Sequence, residues 1–207
     1  IKIHHEAAVQ SAHRAVELAP LFADAQSTLA FTLFQGGLDI RGAKKPFELS
    51  RKLGEGEAPV MARFAIYCAS TGRNREAASA IDGALILDPL NALVHRVAGT
   101  VHYAARRFDA AISATREALS LNPNLGDTHA RIGMVQIAQK KNADALKSFD
   151  QESHKWSKLA GIAIAQHHLG NGAAAKAAMA GLTSDTDVVS LYQQGQVLAQ
   201  WGQLEAA

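Results

Sequence analysis

The chain has 207 residues, a formal net charge of +2 and one cysteine, Cys68. The balance of 21 Lys+Arg against 19 Asp+Glu leaves no basic excess for nucleic acid, and a single cysteine excludes an internal disulfide framework and a cysteine-based zinc knuckle. With 48% hydrophobic and 19% charged residues, wholesale disorder is excluded, and no apolar run approaches the roughly 18 residues of a membrane span.

The predicted elements are all helices. A lone helix comes first, at about 4–19. Helix pairs follow at about 23–53, 58–88, 92–122, 126–155 and 157–182, and a lone helix from about 186 to 201 closes the series. The second pair shows why. Met61, Phe64, Ala65 and Cys68 recur at the spacing of one helical face. Thr71-Gly72-Arg73-Asn74 reads as a turn, with Gly72 ending the first helix and Asn74 as N-cap of the second. Ala77, Ala80, Ile81 and Ala84 resume the helical spacing, and Leu87-Asp88-Pro89 closes it.

The pairs repeat at a fixed step. Ala43, Ala77, Ala111 and Ala145 are each 34 residues apart, as are Phe47, Ile81, Thr115 and Phe149. Ala65, Gly99 and Gly133 keep the same step, and so do Pro89 and Pro123. The first pair is one residue longer, which places the extra residue in Gly36–Gly42; the fifth pair reads as shortened, because Ala145 and Ala175 are only 30 apart. The small residues mark close helix crossings, where a larger side chain would overpack the seam. Each pair is expected to bury its face on its neighbours as one solenoid over 1–207.

Period and pattern together resemble the tetratricopeptide repeat (TPR). The matching positions in one repeat are Met61, Phe64, Ala65, Cys68, Ala77, Ile81, Ala84 and Pro89, with the bulky Trp and Tyr of the pattern replaced. The resemblance implies an all-α, right-handed α-solenoid and a protein-binding scaffold, not an enzyme. Four segments, Phe47–Gly56, Ala77–Asn91, Leu159–Gly170 and Leu191–Gly202, are also similar to repeat regions C-terminal to winged-helix regulator or class III nucleotide cyclase domains of bacterial signalling proteins. That similarity implies a sensory or assembly module. The chain starts at Ile1 and stops inside a helical pattern, so it reads as a piece of a longer protein. Cytoplasmic and periplasmic homes both stay open.

In this family the first helix of each pair lines a concave groove. The resemblance assigns that role to Arg63, Ile66 and Ser70, to Arg96, Thr100 and Tyr103, and to Arg131, Met134 and Ile137. A later helix adds Ile164, His167 and His168, and an earlier one Phe31, Phe34 and Gln35. One arginine per repeat beside apolar positions suits a peptide or an amphipathic helix. The competing reading is that these arginines are solvated or paired within the protein. The family's Lys/Asn carboxylate clamp is replaced at Ala62, Ile66, Arg96 and Thr100, so chaperone-tail binding is not expected.

Other chemistry is thin. Of nine histidines, His4-His5 and His167-His168 are sequence neighbours, which point about 100° apart on a helix and do not readily chelate one ion. No metal and no cofactor is expected. Gly170-Asn171-Gly172 follows a helix, not the strand a nucleotide fingerprint needs. No spacing ties Ser, His and Asp into a nucleophilic triad. Cys68 lies on the packing face and is expected to be buried. The Leu191, Val197, Leu198 and Trp201 face is expected to be partly bare, so a homodimer through the terminal helices is the second expectation. A small-ligand sensor at the His167-His168 end is the third.

Overall fold

The computed structural model describes residues 2–184 and 188–203, without the side chains of residues 2–5, 188 and 189. The His4-His5 pair therefore lies outside the described side chains. The described residues form twelve α-helices and one π-helical turn. They fall into two compact units, Ile1–Arg107 and Phe108–Ala207, so the pair expected over 92–122 is divided between them.

In the first unit, α1 (Lys2–Leu18) packs on α2 (Ala23–Phe31), whose end winds into a π-helical turn, Thr32–Gly36. Then come α3 (Ile40–Leu53), α4 (Ala58–Ser70), α5 (Asn74–Leu87) and α6 (Ala92–Ala104). α2 packs on α3, α4 on α5, and the first helices α2, α4 and α6 pack in sequence. Ala43, Ala65, Ala77 and Ala98 are all wholly buried, so the helices meet on small side chains. Pro59 stands in the first turn of α4, where its missing N–H costs nothing. Asn74 is the first residue of α5, not its cap; Arg73 stands at the cap position and makes no side-chain capping bond.

The second unit contains α7 (Phe108–Leu121), α8 (Thr128–Ala138), α9 (Asn142–Asp150), α10 (Lys155–His168), α11 (Gly172–Thr183) and α12 (Val188–Gln200). α8 packs on α7, α9 and α10, and α10 on α11 and α12. Its core joins Ala160, Ala163, Ile164, Ala178, Leu182 and Val197.

Six helix ends have the same build. One residue takes a left-handed backbone: Leu38, Gly72, Arg106, Lys140, Gly170 and Gly202. The next N–H reaches back to a carbonyl in the last turn of the helix, as in Arg73 to Cys68 (2.8 Å), Lys141 to Gln136 (2.9 Å) and Asn171 to Gln166 (2.9 Å). This satisfies carbonyls that a helix end otherwise leaves open.

Two irregularities are placed differently from the sequence reading. Leu38 and Gly72 are already 34 residues apart, so the extra residue precedes Leu38. It is absorbed by the π-helical turn Thr32–Gly36, because one inserted residue widens a helical turn without breaking it. The shortening falls in the fourth pair, not the fifth. α9 has 9 residues where α5 and α7 each have 14.

Glu152 explains how the short helix ends. It is only 3% exposed. Its Oε1 accepts the N–H groups of Asp127 (3.1 Å) and His154 (2.8 Å), and its Oε2 accepts that of Ala130 (3.0 Å). One carboxylate thus serves the starts of both α8 and α10, where free amides and the helix dipole favour a negative charge.

Candidate functional site

On the first-helix side of the first unit, Arg63 is held by contacts to the preceding first helix. Its Nη1 donates to Asp24 Oδ1 at 2.8 Å and lies 3.4 Å from both Ser27 Oγ and Thr28 Oγ1. The guanidinium carbon stands 6.0 Å from the centre of the Phe31 ring. These contacts tie α4 to α2. The Arg63 side chain keeps 34% of its surface exposed, so the ion pair contributes little stability and mainly fixes orientation. Ile66 is half-buried and Ser70 exposed on the same helix. On α6, Arg96 and Thr100 are half-buried, Tyr103 is exposed, and Thr100 Oγ1 donates to the Arg96 carbonyl at 3.2 Å.

Phe34 does not belong to this surface. It is buried, edge-on to Phe47 (6.2 Å) and Tyr67 (5.6 Å) in an aromatic core. Arg73 lies over that core, 5.5 Å from the Phe64 ring centre and 5.8 Å from that of Tyr67. It binds Glu48 (2.8 Å) and Glu76 (2.7 Å), and its hydrogen bond holds the Glu76 carboxyl below its ordinary range. Cys68 beside it is fully buried, and desolvation pushes its thiol up to about 12. The thiolate needed for reactivity is therefore suppressed. His102 is half-buried, and desolvation followed by the Arg107 charge lowers its pKa, with Asp82 opposing.

In the second unit Arg131 is exposed on α8, while Met134 and Ile137 are half-buried against the core. Ile164 corrects the sequence reading: it is wholly buried and cannot line a groove. It shares a core cluster with Leu182 of α11 and Val197 of α12, and Trp201 packs against that cluster. Val197 is likewise core, not bare surface; among the described side chains of α12, the large exposed apolar ones are Leu191 and Tyr192. His167 is exposed, with its ring stacked on Trp201 (5.3 Å, 24°) and edge-on to His168 (5.8 Å).

Sequence spacing did not reveal a Ser, His and Asp cluster at the start of α10. Ser157 Oγ donates to Asp127 Oδ1 at 2.6 Å and lies 3.3 Å from His154 Nδ1, which is itself 3.5 Å from Asp127 Oδ1. The hydroxyl proton goes to the carboxylate, and the imidazole meets both neighbours through one nitrogen. A nucleophilic relay needs the two ring nitrogens to face different partners. The cluster latches a helix start. Among the described residues, no group of three or more His, Cys, Asp or Glu could hold a metal ion. No described helix is long and apolar enough to cross a membrane.

No protein-family profile and no curated protein matches the chain. Solved structures do. TTC0263, a TPR protein of Thermus thermophilus, superposes with a TM-score of 0.74 at 17% identity, over 86% of this chain and 100% of its own. PilW, a type IV pilus biogenesis factor, gives 0.72 at 18% identity over 94% and 90%. PilF of Pseudomonas aeruginosa gives 0.64 at 20% identity over 89% and 86%. The fold is that of the all-helical TPR solenoids.

Proposed function

We propose that this chain is a protein-interaction module that binds a peptide or helix on its first-helix faces. The observation that carries the reading is the fixed guanidinium of Arg63. All of its hydrogen bonds use Nη1, which leaves the other guanidinium N–H groups directed away from those partners. An arginine already held in place loses less entropy when it meets a carbonyl or carboxylate. Arg131 recurs on α8 two 34-residue steps after Arg63, and Arg96 stands on α6 one position before the intermediate step, Val97, beside Thr100 and Tyr103. The 34-residue step runs through Ala77, Ala111 and Ala145, so the same repeat pattern is present in the sequence of each unit. A place beside the effector domain of a larger bacterial signalling protein fits the sequence similarity noted above.

The test is a displayed peptide library selected on the chain, followed by affinity measurement on Arg63→Gln/Arg96→Gln/Arg131→Gln. The triple variant is expected to lose at least about tenfold in affinity with an unchanged helical spectrum. Unaltered affinity contradicts the assignment. A second reading, self-association through α12, is favoured by the exposed Leu191 and Tyr192. Light-scattering mass over a hundredfold dilution decides it: a dimer that Tyr192→Glu dissolves supports association, and a constant 22.0 kDa removes it.

A further inference from the structure

The second unit carries a cavity of about 620 Å³ on a side that the peptide reading does not use. Its long wall is one stripe of α7, from Asp109 through Ile112 and Arg116 to Ser120. Gln136 and Gln139 at the end of α8, and Lys141 and Asp144 at the start of α9, form the rest. The stripe spans eleven residue steps of helix from Asp109 to Ser120, about 16 Å, which matches roughly five residues of extended peptide. Apart from Ile112 the lining is polar, unlike the mostly apolar pockets that take drug-like molecules.

The state of each lining group narrows the ligand. Asp109 already accepts from Gln139 Nε2 at 3.1 Å, and Asp144 is paired with Lys147 at 3.1 Å. The side chains of Arg116, Glu117 and Lys141 form no hydrogen bond or ion pair among the described residues. The uncommitted charges are therefore two cations and one anion.

We infer that this cavity binds a short acidic peptide with free ends. Such a molecule brings two carboxylates for Arg116 and Lys141 and one ammonium for Glu117. Arg116 offers the planar fork that suits a carboxylate. The ligand sits on the second helices α7 and α9, with the end of α8 as floor, so the site is independent of the first-helix surface.

The probe is the tripeptide Ala-Glu-Ala with free termini, followed by the backbone amide resonances of the whole chain. Saturable shifts are expected at Ile112–Glu117 and Gln139–Asp144. Arg116→Gln, and separately amidation of the peptide C-terminus, should each weaken binding by about tenfold. Arg63→Gln should leave it unchanged, which separates this site from the peptide-binding surface. All of these side chains are on the surface, so the variants are expected to fold. No saturable shift at millimolar peptide, shifts confined to α4 and α6, or undiminished binding by both Arg116→Gln and Lys141→Gln would overturn the inference.

Discussion

Phe47 and Phe149 hold the same place in the repeat, three 34-residue steps apart, and are seated in opposite ways. In the first unit Phe47 stacks on Tyr67 (4.6 Å, 22°) and meets Phe34 and Phe64 edge-on. In the second unit Phe149 lies against bare backbone. A Cβ added at Gly161 would overlap Phe149 Cδ1, Cε1 and Cγ, and one added at Gly133 would overlap its Cε1 and Cζ. Ala130, Ala145 and Ala165 complete that seat. Between the two phenylalanines, Ile81 and Thr115 are also buried, and Thr115 Oγ1 donates to the Ala111 carbonyl at 2.7 Å. One wedge position therefore tolerates three kinds of side chain, Phe, Ile and Thr, because its neighbours change size to suit. A ring beside rings gains edge and stacking contacts. A ring beside glycines lets α8 and α10 approach closely, but leaves no room to accommodate any larger neighbour.

The largest expected effect breaks this contrast at its narrow side. Gly161→Val forces branched carbons into the Phe149 ring and should destabilise the chain by at least about 3 kcal/mol, read by denaturant unfolding. Truncating the rings comes next. Phe47→Ala and Phe149→Ala should each cost about 3–5 kcal/mol, with Phe47→Ala also abolishing the aromatic near-ultraviolet signal of its neighbours. Glu152→Ala should cost about 2–3 kcal/mol, since it strands amides at the starts of α8 and α10. Exchange protection should fall at Asp127, Ala130 and His154 and stay unchanged throughout the first unit. The smallest effect is favourable. Lys140 holds a left-handed backbone at φ 61°, so Lys140→Gly should raise stability by about 1 kcal/mol. Gly72 and Gly170 already use glycine at the equivalent place.

Most of the fold was legible because small residues return at a fixed step. Ala43, Ala77, Ala111 and Ala145 are each fully buried, and a shared step is a stronger signal than any single helix face. What escaped was local. A π-helical turn and a loop insertion add the same one residue to the count, so the sequence alone put the extra residue too late. The 30-residue spacing from Ala145 to Ala175 showed that residues were missing, but not that α9 had lost them. Glu152 gave no signal, because its role depends on amides 22 and 25 residues away in sequence.

The surface residues divide in the same way. Arg131 and His167, assigned to a groove by position along a first helix, are exposed. The assignment failed at Ile164 because α12 supplies Val197 to the same core cluster, a tertiary effect outside that repeat's own pattern. Phe34 failed similarly, drawn inward by Phe47 and Tyr67. Whether an arginine such as Arg63 finds a partner depends on the preceding helix, where Asp24 happens to stand.

The repeat register underlies every assignment made above, including which arginines share the first-helix faces. A double-mutant cycle on Gly161→Val and Phe149→Ala tests it most directly, by denaturant unfolding of both single variants and the pair. If Phe149 fills the space that Gly161 leaves, the valine should be far less damaging once the ring is gone, with a coupling of about 1–3 kcal/mol. Additive losses would show that the ring does not rest on that glycine and would contradict the register.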